Sequence, residues 1–187
     1  TLPESAWKET LINGKIYMVP RNTAKIFPDR GPFVNMDIAE KYGFTADDIK
    51  TYDDFKELLL AIGDKESGNG MYAYYQSSTS NFQELGWRYR FNLINNQASD
   101  NVYYCQLDDP TFEKPFFLYT SEYWKTYIQD MAEFAAAGCW PSDAISNTNA
   151  ITTLFENGQS ATSRGNYYNG ITMIQGYRDR GMNVGLF

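Results

Sequence analysis

Residues 150–177 read AITTLFENGQSATSRGNYYNGITMIQGY, and they alternate helical and strand signals. The spacing of Ile151, Leu154 and Phe155 predicts the inward face of a helix that ends at Gly158. Residues 160–163 follow as a predicted strand, Gly165 provides a turn, and residues 168–177 have a helical pattern. A strand flanked by helices on both sides in the chain is typical of α/β packing.

The segment 51–66, upstream, gives the clearest single helix. Thr51 fits an N-cap, and Asp54 stands three residues later, where a capping-box partner is expected. The apolar residues then recur at i, i+3, i+4 and i+7, which predicts one buried face: Phe55, Leu58, Leu59 and Ile62.

Further elements on either side extend this pattern. Short strands are expected after the Asn13-Gly14 turn and ending at Pro20, around Val34, at 71–75 and at 183–187, with a hairpin pairing 103–107 with 115–119. Helices are expected at 37–42, at 82–93 and from a Ser121 cap to Gly138, the last with one face formed by Trp124, Tyr127, Ile128 and Met131. The sequence therefore predicts a single α/β domain.

Composition excludes several function classes. The chain carries a formal net charge of -7, which disfavours nucleic acid and anionic membranes as partners. It has no histidine, so Ser-His-Asp and Cys-His catalysis cannot operate within it. No Walker motif, no dinucleotide fingerprint and no metal-ligand spacing is present. We expect no metal and no cofactor.

The two cysteines and the first residues leave alternatives open. Cys105 and Cys139 are either two partly buried free thiols, which we favour, or one disulfide. No apolar run reaches the length of a membrane span, and Thr1 begins no signal peptide. The sequence is therefore either cytoplasmic or begins inside a longer chain.

Two kinds of residue are candidates for function: neighbouring carboxylates and aromatic residues. The neighbouring carboxylates Asp53/Asp54 and Asp108/Asp109 fit helix-start and turn chemistry better than a catalytic pair, which must face each other across a substrate. Tyr167 and Tyr168 follow the Gly165 turn, and one of two adjacent rings must point outward. We expect one of them at the surface, whereas Trp87 fits a core position equally well.

Three stretches resemble one family when taken together. Residues 13–20, NGKIYMVP, are similar to the "DGKxYgxP" strand of the ABC-importer solute-binding proteins that include maltose-binding protein. Residues 34–44, VNMDIAEKYGF, with 51–55, TYDDF, resemble that family's "yn.dlfekyGl…TwdEf". Residues 154–167, LFENGQSATSRGNY, resemble its "F.nGkaAm…G.W". The order of the three stretches is the family's order, and they span nearly the whole chain.

The resemblance implies one lobe of a periplasmic-binding-protein-like type II fold, with a mixed sheet flanked by helices. A full member is about twice as long, so residues 1–187 would form a single lobe, with residues 14–20 and 183–187 as crossover strands to a missing first lobe. The implied activity is binding of a small molecule, a sugar or oligosaccharide, between the lobes and its delivery to ABC permease subunits. The implied setting is extracellular, as a monomeric lipoprotein anchored outside this chain.

The resemblance and the aromatic content together suggest a ligand-binding set. Tyr and Trp faces stack on sugar rings, while Asn, Gln and Arg bond hydroxyl groups. The expected set is Tyr167, Asn166, Trp87, Ser78, Asn81, Phe82 and Gln83, with Arg21 and Asn22 at the cleft edge. The alternatives are a carbohydrate-active enzyme or accessory module, and a binding protein for a peptide or another polar solute.

Overall fold

The computed structural model describes residues 3–8, 10–20, 31–76, 91–93, 103–106, 109, 111, 113–165 and 167–187. Its helices are α1 (Glu4–Lys8), α2 (Met36–Lys41), α3 (Tyr52–Ile62), α4 (Glu122–Ala136), α5 (Ile151–Glu156) and α6 (Tyr167–Asp179). Its strands are β1 (Leu11–Ile12), β2 (Lys15–Ile16), β3 (Pro32–Asn35), β4 (Tyr72–Tyr74), β5 (Phe91–Leu93), β6 (Tyr103–Gln106), β7 (Phe116–Phe117), β8 (Ser160–Arg164) and β9 (Val184–Leu186).

The central sheet has four strands in the order β4-β8-β3-β9. β8 runs parallel to β4 and antiparallel to β3, and β3 runs antiparallel to β9. Val34 lies opposite Thr162 on one side and opposite Gly185 on the other. The sheet is therefore mixed, as expected from the sequence.

Helices cover both faces of this sheet, because neighbouring side chains of β3 point in opposite directions. Val34 packs in the main core cluster with Phe55 and Leu58 of α3 and Phe134 of α4. Phe33 packs instead with Phe155 of α5 and Tyr177 of α6. The result is a three-layer α/β/α arrangement.

A second sheet, β5-β6-β7, is antiparallel and carries its own aromatic cluster. Phe91, Tyr104 and Leu118 form its buried centre, and Tyr123, Trp124 and Tyr127 of α4 pack against them. α4 thus contacts this cluster with its first half and the main core with Phe134 in its second half.

The local signals for α3 are confirmed. The Thr51 hydroxyl accepts from the Asp54 amide at 3.2 Å, and the Asp54 carboxylate accepts from the Thr51 amide at 2.7 Å. All four predicted apolar residues of α3 are buried. This capping box fixes where the helix begins.

The predicted helix at 82–93 is wrong at its end, because Phe91–Leu93 is strand β5, paired with β6; the rest of that segment lies outside the described residues. The predicted strand at 16–20 is shorter, at Lys15–Ile16, and pairs with β1 in a hairpin. Ser121 precedes α4 but does not cap it, since its hydroxyl donates to the Leu118 carbonyl at 2.6 Å. Ile128, expected on the buried face, is 51% exposed.

Two buried carboxylates connect neighbouring elements. Glu66, whose side chain is 6% exposed, accepts from Lys41 Nζ and from the Tyr42 hydroxyl, each at 2.5 Å. Asp130 of α4 bonds Lys56 of α3 at 2.6 Å and accepts from the Tyr52 hydroxyl at 3.1 Å. The first joins α2 to the turn after α3, and the second joins α3 to α4.

Both cysteines are free and buried, in agreement with the favoured alternative of two thiols. Cys139 lies in the main core and its thiol donates to the Leu59 carbonyl at 3.3 Å. Burial raises the pKa of Cys139 to about 12, so this thiol is held in the unreactive protonated form.

Candidate functional site

One edge of the central sheet gathers four chain segments. The parallel strands β4 and β8 both end there, and β9 ends there too, because it is antiparallel to β3 while β3 is antiparallel to β8. The first residue of β3, Pro32, lies opposite Arg164, the last residue of β8. In open α/β sheets, ligands bind outside the carboxyl ends of strands, so this edge is the candidate site.

Gly165 shapes this edge, since it follows β8 and lies close to its neighbours. A Cβ atom there would stand 2.5 Å from the Gly31 carbonyl oxygen, 2.7 Å from Leu186 Cδ1 and 3.2 Å from Phe33 Cδ2. Glycine is therefore required for the backbone of β8 to pass this close to residue 31 before turning into α6.

Most of the predicted ligand residues lie outside the described residues: Arg21, Asn22, Ser78, Asn81, Phe82, Gln83, Trp87 and Asn166. Tyr167 is the first residue of α6, directly after the Gly165 turn, and only its backbone is described. Its predicted contact with a ligand stays a prediction.

The structure adds residues at this edge that the sequence analysis did not select. Tyr75 and Gln76 follow β4; Gln76 is buried and Tyr75 is half-buried. The loop between α4 and α5 lies against them. Its Asn147 amide donates to the Gln76 carbonyl at 3.3 Å, and its Asn149 amide donates to the Tyr75 hydroxyl at 3.4 Å.

The backbone and the ring of Tyr75 make two further contacts. Its backbone amide donates to the Ser160 hydroxyl at 2.9 Å, while that hydroxyl donates to the Thr162 carbonyl at 2.6 Å. Its ring meets the Tyr72 ring edge to face, with centroids 5.6 Å apart. The hydrogen bonds of Tyr75 with Ser160 and Asn149 join residues more than 70 positions apart, so no local sequence pattern predicts them.

Two of the four carboxylates considered as catalytic candidates, Asp54 and Asp109, have structural partners. Hydrogen bonds from the Thr51 side chain and from the Lys50 and Thr51 amides lower the pKa of Asp54. Hydrogen bonds from the Lys114 and Glu113 amides and from Thr111 lower the pKa of Asp109. A carboxyl group held ionised in this way is a poor general acid.

The described residues contain neither a cluster that could hold a metal ion nor a helix that could span a membrane. Within the described ranges, no group of three His, Cys, Asp or Glu side chains could hold a metal ion. No helix in the described part of the chain is long and apolar enough to cross a membrane.

Several solved structures that resemble the chain are solute-binding proteins. The N-glycan transport solute binding protein NgtS of Streptococcus pneumoniae, in complex with Man1GlcNAc, matches with a TM-score of 0.61 and 16% identity, over 100% of this chain and 39% of that one. Lmo0181 is an ABC substrate-binding protein of Listeria monocytogenes, solved in complex with cycloalternan. It matches with a TM-score of 0.53 and 18% identity, over 100% of this chain and 42% of that one. The sugar-binding protein MalE of Xanthomonas citri matches with a TM-score of 0.52 and 17% identity, over 97% of this chain and 41% of that one.

At these identities the likeness shows the fold. The chain has the mixed α/β fold of one lobe of a solute-binding protein, which confirms the fold class predicted from the sequence. It spans about two fifths of the length of the structures that it matches. No family model matches the sequence, and no curated protein matches it.

Proposed function

We propose that this chain is one lobe of an extracellular solute-binding protein of an ABC importer, and that it contributes one wall of a site for a sugar or oligosaccharide. The observation that carries the proposal is the sheet edge at which β4, β8 and β9 end, because Tyr167, a residue predicted to bind ligand, begins α6 directly after β8. The structures that share this fold are themselves solute-binding proteins.

The chemistry of this edge supports a polyhydroxyl ligand. Tyr75 offers an aromatic ring with a hydroxyl group, and Asn147 and Asn149 offer planar amides. Sugars present apolar C–H faces and a rim of hydroxyl groups, which match such a mixture. Two of the four candidate carboxylates, Asp54 and Asp109, cap a helix and stabilise a turn, which favours binding over hydrolysis.

The proposed mechanism of binding is closure of the two lobes around the ligand, since each lobe contributes part of the binding site. A ligand that contacts both lobes binds the closed form more tightly than the open form, and it shifts the population toward closure. The crossover segments 14–20 and 183–187 would absorb the hinge motion, and the closed form would dock on the permease. Membrane anchoring as a lipoprotein would keep the protein at the cell surface.

Tyr167 provides the direct test. In the two-lobe protein, Tyr167→Ala should weaken oligosaccharide binding by about tenfold or more, because loss of ring stacking is worth ~1–3 kcal/mol by analogy with stacked bases. Calorimetric titration and thermal melting are measured on the same variant. A core role would instead cost roughly 3–5 kcal/mol of stability, so a large fall in Tm with unchanged affinity would contradict the assignment.

A further inference from the structure

The Tyr75 hydroxyl at the candidate site is a hydrogen-bond acceptor toward Asn149. The Asn149 Nδ2 atom can only donate, and it lies 3.4 Å from the phenol oxygen. The phenol oxygen therefore accepts, and its own proton remains available for a second hydrogen bond. Within the described part of the chain, no acceptor takes that proton.

The position of this hydroxyl is fixed by the fold. The backbone amide of Tyr75 is bonded to Ser160 at 2.9 Å, and its ring lies edge to face on Tyr72. The loop that carries Asn149 is tied to the same strand end by the Asn147 bond to the Gln76 carbonyl at 3.3 Å. A donor held before the ligand arrives pays little ordering entropy on binding.

Charge at this edge favours a neutral partner. Two described charged residues belong to the segments that meet at this edge: Asp143, which accepts from Asn147 at 3.2 Å, and Arg164 at the end of β8. They have opposite signs, so neither an anionic nor a cationic ligand gains a net attraction from the pair. A phenol donor with flanking amides matches a hydroxyl or ring oxygen of a neutral sugar.

We propose that Tyr75, oriented by Asn149, donates a hydrogen bond to one oxygen of a neutral carbohydrate and so determines which sugar the site accepts. This inference rests on the proposed function. It makes Tyr75 a ligand-contacting residue and Asn149 a positioning residue, neither of which belongs to the set predicted from the sequence.

The first experiment removes only the hydroxyl group. In the two-lobe protein, Tyr75→Phe should weaken binding of an oligosaccharide, chosen as one that the wild type binds by calorimetry, by about five- to tenfold, as for loss of one hydrogen bond. Tm should stay near the wild-type value because the ring is kept. Tyr119→Phe is the matched control, because Tyr119 is exposed and its ring packs on Trp124 of α4; its affinity should be unchanged.

The second experiment reverses the hydrogen bond. Asn149→Asp gives a carboxylate that accepts the Tyr75 proton, so the phenol can no longer donate to the ligand, and affinity should fall at least as far as in Tyr75→Phe. Asn149→Ala leaves the proton free but less well oriented, and it should cause a smaller loss. Equal affinities for Asn149→Asp and Asn149→Ala would overturn the role of Asn149.

The third experiment identifies the partner oxygen. Monodeoxy versions of the ligand are titrated into wild type and Tyr75→Phe. One deoxy position should weaken wild-type binding severalfold and leave Tyr75→Phe binding unaffected. If the wild type binds sugars but Tyr75→Phe binds them equally well, the inference fails while the proposed function stands. If the wild type binds no sugar of a broad panel, the proposed function itself fails.

Discussion

At position 165 the chain tolerates only a hydrogen atom as a side chain. The nearest obstacle to a methyl group is the Gly31 carbonyl oxygen, a backbone atom that cannot rotate away. Gly165→Ala should therefore force β8 and residue 31 apart and lower the free energy of unfolding by about 1–3 kcal/mol. Urea denaturation measures this loss.

The control for that substitution is Gly68→Ala. A Cβ at Gly68 meets nothing within 4 Å, and its backbone conformation is not the left-handed one. The free energy of unfolding of the Gly68→Ala variant should differ from the wild-type value by no more than about 0.5 kcal/mol. Equal stability of the two variants would show that the close approach at Gly165 carries no strain.

Glu66 makes stability depend on pH at the residue scale. Hydrogen bonds from Lys41 and Tyr42 lower its pKa to about 2 from the ordinary 4.5. Between these values the unfolded chain binds more protons than the folded one, so stability rises with pH. The contribution is complete above about pH 4.5 and is lost as the pH falls toward 2.

Glu66→Gln removes this contribution, so wild type and variant should differ most above pH 4.5 and converge as the pH falls toward 2. Urea midpoints at several pH values measure the difference. Glu57→Gln, on the exposed side of α3, is the control and should follow the wild-type profile. A Glu66→Gln offset that is constant with pH would rule out the titration of Glu66 as its origin.

At the scale of elements, a group of ion pairs connects α3 to α4. Lys56 bonds both Asp130 and Glu133 at 2.6 Å, and the Asp130 side chain is only 4% exposed. Lys56→Met would leave a buried carboxylate without its ion pair, so we expect a loss of about 2 kcal/mol or more in urea denaturation.

The exposed Lys125 of α4 is the matched position, and Lys125→Met should change stability by less than about 0.5 kcal/mol. If Lys56→Met costs no more than this control, the Lys56 network behaves as an ordinary surface ion pair.

Elements whose signals are local were predictable, and those set by distant partners were not. Thr51 and Asp54 act within one helical turn, and the start and the buried face of α3 are as predicted, while the helix ends at Ile62 rather than at residue 66. Phe91 and Leu93 instead become strand because β6, more than ten residues away, pairs with them. β1 is two residues long and exposed, so no alternation of apolar and polar residues marks it.

The candidate site shows the same division. The Gly165 turn and the start of α6 at Tyr167 follow from residues adjacent in sequence. Tyr75 and Asn149 are 74 positions apart, and only the parallel placement of β4 beside β8 and the path of the α4–α5 loop bring them together. Sequence patterns therefore predict the part of such a site that is built from neighbouring residues, and not the part that the fold brings together.

At the scale of the whole molecule, the isolated chain should fold but bind sugars poorly. It has a buried core around its central sheet, whereas the proposed site needs a second wall. Calorimetry should show weak or no heat with oligosaccharides for this chain and clear binding for the two-lobe protein. Equal, tight affinity in both would place the site wholly within residues 1–187 and contradict the two-lobe proposal.

The strand order also has a consequence for biosynthesis. β3 has its two neighbours, β8 and β9, within residues 160–186, and β4 pairs only with β8 among the described strands. A ribosome adding about 5–20 residues per second would complete β8 roughly ten seconds after β3. During that interval β3 and β4 lack the partners that they have among the described strands, so the nascent chain exposes both without those partners, and the four-stranded central sheet can form only once residues 160–164 have emerged.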